Sequence, residues 1–139
     1  MTISVVDASN YFRGLLLLIG KDRKITEGES ALLKRVGKAL GFEREFCNLA
    51  VQDVLENPYI PDAPPVFSSR EIAKKFLLDG FVIAAVDGAI HLLEEEWLKS
   101  TAENYGFGEE WFLREKTSSL QRMAPPERLE AEDLTLEKS

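Results

Sequence analysis

Apolar residues recur at three- and four-residue spacing along most of this chain, and no alternating strand pattern rises above noise. Tyr11, Phe12, Leu15, Leu16, Leu18 and Ile19 form the stripe of a first helix, which the sequence starts near Asp7–Ser9. Thr26 opens a second through a capping box with Glu29, in which hydroxyl and carboxylate each satisfy an orphan backbone N–H. Ala31, Leu32, Leu33, Val36 and Leu40 supply its stripe, and Gly41 its C-terminal cap. A third helix is expected over about 43–55, with Phe46, Leu49, Ala50 and Val54 facing in. Ser68-Ser69-Arg70-Glu71 reads as a second capping box and opens a long apolar helix from Ile72 to Val86. A fifth helix follows over about 91–105, closed by Gly106. A sixth, over about 108–120, is anchored by Trp111, Phe112 and Leu120.

The pattern repeats at a constant offset of 65. Residues 22–46 and 87–111 align without a gap and share Asp22/Asp87, Ile25/Ile90, Glu29/Glu94, Leu33/Leu98, Lys34/Lys99, Gly41/Gly106, Phe42/Phe107 and Glu45/Glu110. A repeated supersecondary unit bounds the architecture. The expectation is an all-α, single compact helical bundle of six to seven helices, built from two pseudo-twofold-related three-helix repeats (about 7–56 and 68–120). The Pro-rich stretch 57–67 links them within a helical domain over 1–122. Residues 123–139 hold five acids, two bases and no aromatic, and read as an acidic flexible, or loosely docked, tail.

Composition narrows the function classes. The 139 residues carry a net charge of −7, which disfavours nucleic acid and anionic lipid as partners. The apolar run Gly14–Gly20 is too short to span a bilayer and lacks the basic start of a signal peptide. Cys47 is the one cysteine, so no intrachain disulfide forms, which fits a reducing, cytoplasmic setting. Its apolar neighbours mark it as a small buried hydrophobe. No nucleophile constellation, Gly-rich phosphate loop, CxxC pair or HExxH motif is present, so the chain is expected not to be an enzyme and has no catalytic candidate.

The acidic turns carry the only candidate chemistry. Each repeat holds D-x-x-I-x-x-x-E: Asp22 to Glu29, and Asp87 to Glu94. The spacing matches the back half of a calcium EF-hand loop, but the first two ligand positions fall on Leu18 and Gly20, and on Ile83 and Ala85, which excludes that motif. Two readings stand. Asp22, Glu29, Asp87 and Glu94 are candidate ligands for a divalent cation (Ca2+, Mg2+ or Mn2+) if the turns meet. Alternatively, the glutamates are capping acids at helix N-termini, where an anion is favoured by about 0.3–1 kcal/mol. His91 stands where the first repeat has Thr26 and reads as a helix-start residue.

The duplicated turn, followed by an amphipathic helix and a glycine, resembles the TerB-like family over roughly residues 10–113. The resemblance implies a compact helical bundle and a cytoplasmic or inner-membrane-associated bacterial stress-response role linked to tellurite resistance. It also implies metal binding through Asp22, Glu29, Asp87 and Glu94. A relative forms part of a DnaJ-type co-chaperone, but this chain has no His-Pro-Asp motif. Arg23 stands where the family has glycine, and Gly28 and Leu93 where it often has a second acid. The functional expectation is a non-enzymatic domain that takes a cation or a protein partner. The alternative is a structural protein–protein interaction module without a metal, working through the Pro-rich link, Tyr59 and the tail. The sequence leaves the oligomeric state open.

Overall fold

The structure, a computed structural model, describes residues 1–21, 24–57 and 63–137. Asp22, Arg23, most of the Pro-rich link with Tyr59 (58–62), and residues 138–139 lie outside them. The described chain is an all-α bundle of α1 (Val5–Ile19), α2 (Glu27–Ala39), α3 (Arg44–Glu56), α4 (Arg70–Ala84), α5 (Leu92–Asn104) and α6 (Glu109–Gln121). A parallel two-residue pair, β1 (Thr2–Ile3) with β2 (Thr135–Leu136), joins the chain ends. No helix among the described residues is long and apolar enough to cross a membrane.

Adding 65 to both bounds of α1, α2 and α3 gives the bounds of α4, α5 and α6. The caps recur as well. Thr26 Oγ1 accepts from Glu29 N at 3.2 Å, and Glu29 Oε1 accepts from Thr26 N at 2.9 Å. His91 caps α5 in the same way, its own N–H donating to Glu94 Oε1 at 3.1 Å. At the other end of these helices, Gly41 and Gly106 take φ of +87° and +76°. That left-handed geometry lets Phe42 N reach Gly37 O at 2.8 Å and Phe107 N reach Ala102 O at 3.0 Å. This six-to-one bond closes a Schellman cap, and only glycine adopts the geometry without strain.

The core lies where α1 crosses α4. Tyr11, Leu15, Leu18 and Ile19 from α1 meet Phe76, Leu77, Phe81 and Ile83 from α4, all buried, with Leu33 and Leu98 closing the sides. Gly14 permits the crossing: a Cβ there would stand 2.7 Å from the Phe76 ring and 3.0 Å from Pro65.

Four local expectations change. Helix α1 starts at Val5, not at Asp7–Ser9, because Ser4 caps it by accepting from Asp7 N at 3.1 Å. The Asp7 carboxylate is turned instead onto Ser68, accepting from its N–H at 3.0 Å and from its hydroxyl. Ser68 is thereby engaged, so Ser69 caps α4 and there is no capping box with Glu71. Helix α3 is rotated from the expected face. Cys47 is buried, Ala50 and Val54 are half-buried, and Phe46 and Leu49 are exposed.

Of the two expectations for the tail, flexible or loosely docked, the structure shows the docked one. Leu129, Ala131 and Leu134 are buried against the bundle, a 3-10 turn runs over Glu130–Asp133, and β2 pairs with β1. Three apolar side chains suffice because the backbone finds partners too.

Candidate functional site

Of the four acids in the two turns, Asp22 lies outside the described residues. Glu29 and Glu94 are buried, each with one oxygen committed to the backbone N–H of its own helix cap. Asp87 is exposed, and its Oδ1 lies 3.4 Å from where a Cβ on Gly28 would stand. The second turn therefore abuts the first turn of α2, where unsatisfied N–H groups and the helix dipole favour an anion. Among the described residues no group of three or more His, Cys, Asp or Glu is arranged to hold a metal ion. Glu29, Asp87 and Glu94 thus do not form a ligand set by themselves. His91 Nδ1 accepts from Leu93 N at 3.1 Å, which makes the imidazole a cap.

Two buried carboxylates missed by the sequence reading organise the bundle. Asp79 sits mid-helix in α4. Its Oδ2 accepts from Tyr11 Oη at 2.6 Å and Ala131 N at 2.9 Å, and its Oδ1 accepts from Glu130 N at 2.7 Å. Burial pushes the Asp79 carboxyl up to about 6, against the pull of these donors. Burial, reinforced by Asp79, also holds the Tyr11 phenol well above its ordinary range. The sequence held one clue: Asp79 is the lone charge in the apolar run from Phe76 to Val86. Asp7, a candidate cap by sequence, instead fastens the start of α4 to α1.

The position 65 before Asp79 is Gly14, against which Pro65 packs; the position 65 after Pro65 is Glu130. Each half thus sends a segment across its first helix at the same place. Where that segment offers an N–H, the helix supplies a carboxylate. Where it offers proline, which has no N–H, the helix needs only a glycine.

Two of the surface cavities occupy corresponding places in the two halves. One, of about 470 Å3, lies between α1 and α3; Phe12, Leu16, Leu17, Phe42, Phe46 and Val54 give it an apolar lining, with Arg13 and Asp53 at its edge. Phe42 and Phe46 stack at 5.3 Å in its wall. Beside it Phe46 and Leu49 are 51% and 60% exposed, a high fraction for side chains that contribute to no core. The second, of about 520 Å3, lies between α4 and α6. Seven lining positions of the first cavity, advanced by 65, line the second. The stacked pair recurs there as Phe107 and Trp111 at 4.5 Å.

Cys47 is buried and its thiol is pushed up by that burial, which disfavours the thiolate. No family model, curated protein or solved structure matches the chain.

Proposed function

We propose that this chain is a non-enzymatic interaction domain of TerB-like design, and that its working surface is the apolar groove between α1 and α3. The occupant we assign is an apolar helix face of a protein partner. The observation that carries this reading is the exposed Phe46 and Leu49 beside a 470 Å3 apolar cavity. Helix-in-groove recognition uses such a surface, with partner side chains at helical spacing filling the cavity. The fold gains little from leaving these side chains in water, whereas a partner gains about 25 cal/mol per Å2 of apolar area covered.

The resemblance extends the reading to a cytoplasmic stress-response domain of the tellurite-resistance type, without nucleic acid and without direct membrane insertion. Its experiment separates binding from folding. Phe46→Ser with Leu49→Ser is expected to abolish association with the partner while the thermal melt moves by only a few degrees. Retained association would overturn the reading.

A second reading places a Ca2+, Mg2+ or Mn2+ ion at the junction of the acidic turns. The observation in its favour is the approach of Asp87 to the first turn of α2. Isothermal titration of wild type and Asp87→Asn with each ion tests it, and no heat above buffer for any ion removes it.

A further inference from the structure

The cavity between α4 and α6 departs from its apolar counterpart in charge. Four cations line it: Lys74 from α4, Arg114 from α6, Arg122 at the α6 C-cap and Arg128 from the C-terminal segment. They converge in a chain whose net charge is −7. The corresponding positions of the first half are Ser9, Leu49, Asn57 and Ala63, all uncharged. The same helical frame therefore stands without cations at these places, and folding does not require them.

Nor are most of these cations occupied. Arg128 is bonded to Asp133 at 2.7 Å. The hydrogen bonds and ion pairs among the described residues leave the side chains of Lys74, Arg114 and Arg122 unengaged. Three carboxylates line the same cavity, but Asp79 is committed to Tyr11 and two backbone N–H groups and Glu130 lies 4.0 Å from Lys75. Three unengaged cations thus face one unengaged acid, Glu115, and an anion entering the cavity meets a net positive site.

We propose that this cavity binds a small molecule carrying two or more phosphate groups. Guanidinium forks match pairs of phosphate oxygens, and with Arg114 and Arg122 on one wall and Lys74 on the other, more than one phosphate can be neutralised. Trp111, Leu78 and Val82 offer apolar contact for an organic portion. Glu115 and Glu130 line the same cavity and supply acceptors for hydroxyl or amino groups on that portion. A nucleic-acid backbone fits less well, because the cationic region is confined to one cavity of an acidic protein.

Titration calorimetry of the full chain at low salt tests the assignment, with pyrophosphate, ATP and adenosine as probes. Pyrophosphate and ATP are expected to bind, ATP the tighter, and adenosine not to bind. Arg114→Gln with Arg122→Gln is expected to weaken both by roughly tenfold or more. Both residues are exposed, and Arg44→Gln with Lys99→Gln, exposed and outside the cavity, removes the same charge as a control. Binding in the control pair is expected to stay within about twofold of wild type, the residual effect of net charge alone. Failure of wild type to bind either phosphate probe, or an equal loss in the control pair, overturns the proposal.

Discussion

Tyr11 and Phe76 pack edge to face at 5.5 Å in the middle of the bundle, and they are the same position of the two halves, 65 residues apart. One helical turn further on, Leu15 approaches Gly80, another pair at that offset, within 3.8 Å of where its Cβ would stand. Contact between equivalent positions is the mark of an isologous interface. The α1–α4 crossing thus brings positions 65 residues apart against each other. Each half leans on the other there, since α1 and α4 bury part of their apolar stripes against one another.

Gly14→Ala tests the crossing. The new methyl must displace the Phe76 ring, so a loss of about 1–3 kcal/mol is expected, the usual range for an overpacked core. Urea denaturation measures it. A loss below about 0.5 kcal/mol, typical of surface substitutions, would show that α1 and α4 lie farther apart than described.

Asp79→Ala leaves Tyr11 Oη and two backbone N–H groups without their acceptor. A loss of about 2–4 kcal/mol is expected, since each stranded buried donor costs about 1–3 kcal/mol and some regain water. Hydrogen exchange at the amides of Glu130 and Ala131 should accelerate most. Unchanged exchange there would mean that Asp79 does not hold the C-terminal segment.

The same carboxylate gives a pH dependence of known sign. Its folded value of about 6 exceeds the unfolded 3.8, so between these values the native state binds more protons. This stabilising term is full below about 4 and is lost as pH rises through 6; on the order of 3 kcal/mol is at stake. Asp79→Asn removes it. The stability difference between wild type and variant should therefore shift in favour of wild type as pH falls from 7 to 4.5. A shift the other way in paired urea titrations would contradict the buried, desolvated placement.

What the sequence made legible follows from range. Both acidic turns, their glycine caps and all six helices are written in local spacing, and Thr26 with Glu29 could be paired by eye. The bonds of Asp79 could not, because two of its three partners are backbone N–H groups 51 and 52 residues away, which any side chain would provide. The docked C-terminal segment offers only Leu129, Ala131 and Leu134 and a two-residue strand, too little for periodicity to register. The rotation of α3 was hidden because Phe46 and Cys47 are adjacent and both apolar, and tertiary packing chose the smaller for the core. For the candidate site, the sequence left Glu29 and Glu94 open between cation ligand and capping acid, and it took the fold to show one oxygen of each committed to its own cap. The groove beside Phe46 arises from residues spread over two helices.

Thr26→Ala should cost about 1 kcal/mol, as expected for a lost N-cap, and Glu29→Ala a similar amount. Because the two share one capping box, the double variant should lose less than the sum. Thermal melts of the three variants decide it; strict additivity would mean that Glu29 acts elsewhere than in the cap.

Photo-crosslinking in the source cell tests the working surface most directly. A photoreactive phenylalanine analogue is placed at Phe46, and in a parallel chain at Leu113, 49% exposed on α6. The account predicts a discrete protein adduct from position 46 that is absent from position 113 and lost on adding Leu49→Ser. Equal adducts from both positions, or none from position 46, would contradict it.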